Sequence, residues 1–529
     1  MNLKFFKRLT VVLLVFLGTA KATDFITWTT PQIISQFNLD SWLPYVVIDK
    51  NNNDICLWRQ LTSNSQRTVA LVYNATTGQW QSQASTLSKS VSAQGAYEQH
   101  IAMDAQGNAW AIWRQMSGLT KAIQVSRYSP TTGWWPSTQS LTLSDTTQDA
   151  YYPIISMNKS GAALACWTLN DVVQAAFANG ITWSAPVSLS APVAAQVDCF
   201  INSTGLATAV WRRFNVDHFQ IESASYSNGA WQPVVVLSSG PNNAYNPHVA
   251  MDGAGNAVAV WFEQQVTGTS LANVFLSTKA AGSGWQTPVQ LTTNNNARFP
   301  QVTMNETGDL FVLWEQYDGS NWRIVALNST FGQTDPIVVL SQAGHDTFDP
   351  HVVLNNYGSA IATWQYYDSQ NTKQIQVARY DSKSEQWTNS ASQTLVSNPT
   401  DLSQSPQIAM NPFSGNIVLA WQVFGDFNRN VEVVQGTQLI PTIISAQQVI
   451  HRFPRSGYLA NCICWAPVAG AVSYQVFAAD NTTLLATITA TQPLRFCDAP
   501  IVPCSSHTYY IYAIDNTGTF SEPTVVTIG

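Results

Sequence analysis

Pro247-His-Val-Ala-Met-Asp252, Gly253-Ala-Gly255 and Asn256-Ala-Val-Ala-Val-Trp261 read, in succession, as a strand, a tight turn and a second strand. Asp or Asn followed by Gly is turn chemistry, because these residues tolerate the positive φ that a hairpin requires. The same layout returns over Gln99 to Trp113, Pro153 to Trp167, Pro300 to Trp314, Pro350 to Trp364 and Pro406 to Trp421. Each copy ends on a tryptophan. The series Trp58, Trp113, Trp167, Trp211, Trp261, Trp314, Trp364 and Trp421 has spacings of 44 to 57 residues. The strands are apolar with little strict alternation, which suits sheets covered on both faces.

A third strand follows each of these tryptophans, as in Asn273-Val-Phe-Leu-Ser-Thr278. A fourth opens at a Gly-x-Trp or Gly-Trp turn: Gly78-Gln-Trp80, Gly133-Trp134, Gly229-Ala-Trp231 and Gly284-Trp285. Self-similarity at a period of about 50 residues, built from four short strands, predicts an all-β chain folded as a β-propeller. The eighth unit lacks its fourth strand. Ile26-Thr-Trp28-Thr-Thr-Pro31-Gln-Ile-Ile-Ser35 matches Ile181-Thr-Trp183-Ser-Ala-Pro186-Val-Ser-Leu-Ser190. The N-terminal strand is therefore expected to complete the last blade and hide the sheet edges. The count over residues 23–438 is eight blades, or seven if the fourth unit is degenerate. That unit has the shortest spacing and an unusual inner strand, Val197-Asp-Cys-Phe200.

The first 22 residues read as a signal peptide. Lys4, Lys7 and Arg8 precede the apolar run Leu9 to Gly18, and Ala20-Lys21-Ala22 supplies a small-x-small cleavage pattern. The mature chain is expected to start at Thr23 and to be exported: secreted, periplasmic or at the cell surface, without membrane insertion. Only 10% of residues are charged, the net charge is −7, and Lys and Arg are scattered. This argues against nucleic acid as a partner.

From about Pro441 the pattern changes. Cys464-Trp465-Ala-Pro467, Gly470-Ala-Val-Ser-Tyr474-Gln-Val-Phe477, Thr508-Tyr-Tyr-Ile-Tyr-Ala513-Ile-Asp515 and Ser521-Glu-Pro523 occur in order. Residues 439–529 resemble a fibronectin type III domain, which implies a two-sheet sandwich. The cysteines depart from that family. In an exported chain Cys462, Cys464, Cys497 and Cys504 are disulfide candidates with three possible pairings. By alternation Ile463 and Trp465 point inward, and Cys462 and Cys464 outward. Cys56, Cys166 and Cys199 read as buried small hydrophobes.

No metal site, cofactor motif, nucleophile elbow or phosphate loop is present. Candidate ligand residues come from the loops flanking the first hairpin, which share one side of each unit. An aromatic stands two residues before the Pro position at Trp42, Tyr97, Tyr151, Tyr245 and Phe348, with Arg298 in the same slot. His100, His248 and His351 follow the Pro position, and Arg59, Arg114 and Arg212 follow the repeat tryptophan. Aromatic faces stack on sugar rings, while charged groups hydrogen-bond hydroxyls. The competing reading is that the blades themselves need these groups. Glu263 and Glu315, taken as equivalent positions of adjacent units, are the weak candidates for a catalytic carboxylate pair. The turn Thr76-Thr-Gly-Gln-Trp80 keeps only the Gly and Trp of the box that recurs in sialidase-like propellers. The expected function is non-enzymatic recognition or adhesion, binding an extracellular glycan or protein on one propeller face. A sialidase-like, glycan-acting hydrolase and a structural secreted scaffold are the alternatives.

Overall fold

The computed structural model describes residues 25–529, except 37, 64, 89–94, 136–139, 239, 266–270, 294–295, 334–335, 389–393, 426–427, 442, 454–455, 502–504, 517 and 529, and the side chains of 117 and 450–458. The predicted signal peptide and Cys504 lie outside the described residues. The elements formed are all strands. The contacts divide the chain into two compact units, Ile26–Leu439 and a second that includes Ile440–Gly529.

Among the described residues the first unit holds eight antiparallel sheets of four or five strands. The first sheet runs Ser41–Ile48, Asp54–Leu61, Gln66–Asn74 and Gln79–Trp80, in that spatial order. Six more sheets repeat this meander. The fourth repeat, with the shortest spacing, forms a full five-stranded sheet like the third. The eighth sheet takes Leu402–Met410, Ile417–Phe424 and Arg429–Gln438 from the end of the unit, and Ile26–Trp28 and Gln32–Ile33 from its start. Neighbouring sheets bury their faces against each other, and the eighth packs back on the first through Val418, Ala420 and Val431 against Val46, Trp58 and Leu71. This is a β-propeller. The sheets face one another on both sides, which is why their strands are apolar throughout.

One irregularity recurs in all eight sheets. The innermost strand carries an extra residue, so the register jumps between Trp42/Tyr45, Tyr97/His100, Tyr151/Ile154, Ala195/Asp198, Tyr245/His248, Arg298/Gln301, Phe348/His351 and Gln404/Gln407. The residue opposite each jump is the repeat tryptophan. The bulge's first residue is left-handed although never glycine: Leu43, Glu98, Tyr152, Gln196, Asn246, Phe299, Asp349 and Ser405 have φ of 48–58°. Its second residue is Pro in six sheets, a position where the ladder asks for no N–H. All eight tryptophans are fully buried. Seven donate their indole N–H to a Gln or Glu, at 2.9–3.2 Å.

The far end of each innermost strand is a buried Asp or Asn that ties the hairpin turn. Asn202, for example, accepts from the backbone of Thr204 and Leu206. In four of the five sheets where this residue is Asn, its amide also donates across the sheet boundary: Asn158 to Asn202 O, Asn202 to Asp252 O, Asn305 to Asn355 O, and Asn411 to Lys50 O, from the eighth sheet to the first. The side chain thus does two jobs, closing its own turn and stapling the next.

The second unit has two sheets. Ile443–Phe453, Ser456–Trp465 and Arg495–Asp498 form one; Leu484–Thr489, Ser473–Phe477, His507–Ile514 and Thr524–Ile528, in spatial order, form the other. The Trp465 and Tyr474 rings meet at 5.7 Å between them. Tyr509 donates its hydroxyl to Asp498 and accepts from Asn461. Cys462 is bonded to Cys497, directly opposite it on the neighbouring strand. Cys464 is a half-buried free thiol, although it alternates outward with Cys462 as expected; its cross-strand partner is Arg495, which leaves no thiol in reach on that strand.

The tryptophan acceptors set a pH dependence. Burial raises the pKa of Glu432, acceptor for Trp421, to about 7, with the Asp401 charge adding to the effect. A carboxyl held protonated by the fold favours the native state at low pH, and that stability is lost as pH rises from the ordinary carboxylate range through about 7. Glu432→Gln installs the residue that receives the indole at Gln174 and Gln376. It is expected to raise the thermal midpoint by about 2–4 °C at pH 8 and to leave it nearly unchanged near pH 4. Calorimetry at the two pH values checks this; an equal shift at both would rule out the ionisation.

Candidate functional site

The bulges decide which side chains leave the sheets. Past each bulge the inner strands present one residue per sheet: Tyr45, His100, Ile154, Asp198, His248, Gln301, His351 and Gln407. Several of these join up across sheet boundaries. Tyr45 and His100 meet edge to face at 5.0 Å. His248 bonds Asp198 through Nδ1 at 3.2 Å and Gln301 through Nε2 at 3.3 Å. His351 bonds Gln407 at 3.0 Å.

A cavity of about 340 Å³ opens against this row. Five consecutive sheets, the first to the fifth, contribute its lining. Leu43, Glu98, Tyr152, Gln196 and Asn246 come from the bulges, and Arg59, Gln99, Asp198, His100 and His248 supply further polar groups. Tyr152 is 48% exposed, an unusual state for a large aromatic ring. Of the predicted ligand residues, Arg59, His100 and His248 line this cavity.

The remaining candidates serve the walls. The arginines that follow the repeat tryptophans lie between aromatic rings of neighbouring sheets. Arg59 sits 5.6 Å from the Trp42 ring and 5.5 Å from Tyr97. Arg114 lies 5.1 Å from Tyr97 and 5.0 Å from Tyr151. Arg429 covers Trp42 from the other side at 4.4 Å and is itself held by Asp40 at 2.6 Å. Arg212 packs on Phe219 and Tyr245, and Arg298 on Trp322 at 3.8 Å. Phe348 packs against Tyr367. Trp42 is buried, and the others are half-buried. The expectation of aromatics gathered as open platforms is therefore corrected. They are members of strands, paired cross-strand with the arginines, as in Trp42 opposite Arg59 and Tyr97 opposite Arg114. Trp42, Tyr97 and Tyr151 each meet two cations and Tyr245 meets one, an attraction of about 0.5–2 kcal/mol per pair.

The Glu263–Glu315 pair is corrected as well. Glu263 lies two residues beyond its tryptophan and Glu315 only one beyond, so they occupy opposite faces of their strands. Glu263 accepts from the Trp261 indole at 3.0 Å. Glu315 accepts from the Asp349 backbone at 3.0 Å and pairs with Arg298 at 3.0 Å. Burial raises the pKa of both. Their bonds belong to the scaffold.

The cavity's own carboxylates are Glu98 and Asp198, which sequence reading did not single out. Glu98 accepts from Tyr152 N at 2.9 Å and pairs with Arg114 at 3.3 Å. Asp198 accepts from the backbone of Cys199 and Val249 as well as from His248. The signal was present in the sequence: the residue just before the Pro position, skipped in favour of the aromatic next to it, is the one the bulge turns outward. Among the described residues no group of three or more His, Cys, Asp or Glu is placed to hold a metal ion.

No family model matches the chain, and no curated protein matches it. Among solved structures it is similar to a fungal alcohol oxidase of the AA5 family in complex with copper, at 12% identity and a TM-score of 0.44, covering 95% of this chain and 99% of that one. It is also similar to a PL25 ulvan lyase bound to -[GlcA(1-4)Rha3S]-, at 10% identity and TM-score 0.45, over 76% and 95% of the two chains. A third is the Penicillium chrysogenum alpha-L-arabinanase complexed with arabinobiose, at 14% identity and TM-score 0.35, over 54% and 92%. At these identities no site residue carries over.

His100 keeps an edge toward the cavity, yet atoms packed around the ring desolvate it and push its pKa down to about 4. The fold thus holds a neutral imidazole. The unfolded chain takes up a proton first, so this contribution to stability is complete above about 6.5 and is lost as pH falls toward 4. Ring resonances of His100, assigned through their loss in His100→Gln, are expected to stay constant from pH 8 to about pH 5. A titration midpoint near the free-imidazole value of about 6.5 would refute the desolvation.

Proposed function

We propose that the protein is an exported carbohydrate-binding protein whose ligand sits in the cavity formed by the bulges of the first five sheets. The observation that carries this reading is the lining itself. Guanidinium, carboxylate, amide and imidazole groups converge there beside the exposed Tyr152 ring. A few polar groups fixed on a rigid scaffold, with one aromatic face to stack on, match the hydroxyl pattern and apolar face of a sugar ring. In this reading the eight sheets are eight blades in one ring, with Ile26–Trp28 and Gln32–Ile33 completing the last. The second unit is a fibronectin type III-like sandwich. Residues 1–22 act as a signal peptide. The charge of −7, spread thinly over the chain, is consistent with a ligand that is not nucleic acid.

The catalytic reading has an observation of its own: two carboxylates, Glu98 and Asp198, share one cavity with two imidazoles, His100 and His248. Both carboxylates are already engaged by the protein, Glu98 by Tyr152 N and Arg114 and Asp198 by two backbone N–H groups and His248, which favours recognition over turnover. Time-resolved product analysis on a panel of oligosaccharides separates the two. New chain ends that form with the wild type and not with Asp198→Asn would establish an enzyme.

Full-length mature protein is expected to retain a set of oligosaccharides on a glycan array. Tyr152→Ala, which truncates an exposed ring, is expected to weaken that binding about tenfold or more while the melting temperature stays close to the wild-type value. Retention of full affinity by this variant would move the site elsewhere.

A further inference from the structure

Charge accounting around the cavity separates groups bonded to a counter-charge from one that is not. Glu98 is matched by Arg114 and by the Tyr152 backbone. Asp198 accepts two backbone N–H groups and faces His248. Arg59 is the one Arg or Lys among the lining residues. Among the described residues it has no carboxylate within bonding distance, and its Nε is buried with no hydrogen-bond partner. Two aromatic rings hold its guanidinium in place, which orients it without using its N–H groups. Two further orphans belong to residues that line the same cavity: the Oε1 of Gln99, a residue 2% exposed, and the Nδ1 of His100. Gln99 has its amide fixed by a bond to Leu43 O at 2.5 Å, so the free oxygen has a set direction.

Buried polar atoms are seldom left unpaired, and a guanidinium with spare donors is the usual planar partner of an oxyanion. We propose that Arg59 binds an anionic substituent, a carboxylate or sulfate, on the sugar held in the cavity, with Gln99 Oε1 and His100 Nδ1 taking neighbouring hydroxyl groups. The ligand is thus an acidic glycan. This rests on the carbohydrate reading above and adds the charge of the sugar to it. The neutral His100 fits the assignment, since it can accept a hydroxyl proton where an imidazolium could not. The rings beside Arg59 exclude water from its faces, so the ion pair forms in a poorly screened setting.

The test is calorimetric binding of the full-length mature protein to three probes of matched length: an oligogalacturonate for the carboxylate, a sulfated galactan oligosaccharide for the sulfate, and cello-oligosaccharides as the neutral case. At least one acidic probe is expected to bind about tenfold or more tighter than the neutral one, with affinity falling as salt rises. Which acidic probe wins identifies the oxyanion. Arg59→Gln is expected to remove that preference, and Arg59→Lys to recover only part of it, since a point charge lacks the fork. Equal binding of neutral and acidic probes overturns the inference while leaving the carbohydrate site standing. Binding of no glycan on a broad array overturns both. If Arg59→Gln fails to fold, the wild-type comparison of acidic against neutral probes still decides.

Discussion

The extra residue opposite each buried tryptophan is the constraint on which the rest of this structure depends. A large indole on the second strand needs room across the ladder, and the bulge on the first strand provides it by leaving the tryptophan without a single cross-strand partner. The cost is eight non-glycine residues with φ near +50°, including Leu43, Tyr152 and Phe299. Left-handed backbone at such residues costs about 1–3 kcal/mol each and persists only where packing enforces it. Here the enforcing contacts are the fully buried indoles, each about 3–5 kcal/mol of core stability if truncated. The strain is repeated because the repeat is.

The same bulge explains how the sheets bind one another. A bulge releases backbone N–H groups from the ladder, and a buried donor must find an acceptor. In the odd-numbered sheets the preceding sheet supplies it: Gln422 to Leu43 N, Glu98 to Tyr152 N, Gln196 to Asn246 N and Glu315 to Asp349 N. At the opposite end of the inner strands, Asn staples do comparable work. Between these two layers, cations stacked between aromatics fill the sheet boundaries. A polar, charge-poor chain thereby places several of its few charged side chains in internal joints, Glu263, Glu315 and Glu432 among the buried ones.

Much of this was legible in the sequence, because it is written in every repeat. The tryptophan series, the Asp/Asn-Gly turns and the match of Ile26–Ser35 to Ile181–Ser190 each report a local backbone requirement that recurs with one period. The site was legible only in part. Arg59, His100 and His248 were found because they sit at fixed offsets from Pro and Trp. Glu98, Tyr152 and Gln196 were passed over because strict alternation places the residue before Pro on the other face of the strand. An added residue reverses that parity, and no composition signal marks it beyond the Pro itself. Misreading parity also made Glu263 and Glu315 look equivalent when they differ by one position.

The distinction between repeated and unrepeated residues carries the functional argument further than the residue types do. The aromatics before Pro and the indole acceptors, present at one offset in several sheets and held in contacts of the sheets themselves, are accounted for by the blade. Groups that break the repeat answer to something else. At the post-bulge position Asp198 stands where other sheets have His, Tyr, Gln or Ile, and its carboxylate is absorbed in bonds to the next sheet. At the positions after the bulge's first residue, Gln99 replaces Pro and leaves an acceptor unpaired in the cavity lined by Arg59, an arginine with no carboxylate within bonding distance among the described residues. Seven of the eight repeat indoles are satisfied, while other buried polar atoms in several sheets stay unpaired. That several of the free ones adjoin a single cavity is the reason to look for the ligand there.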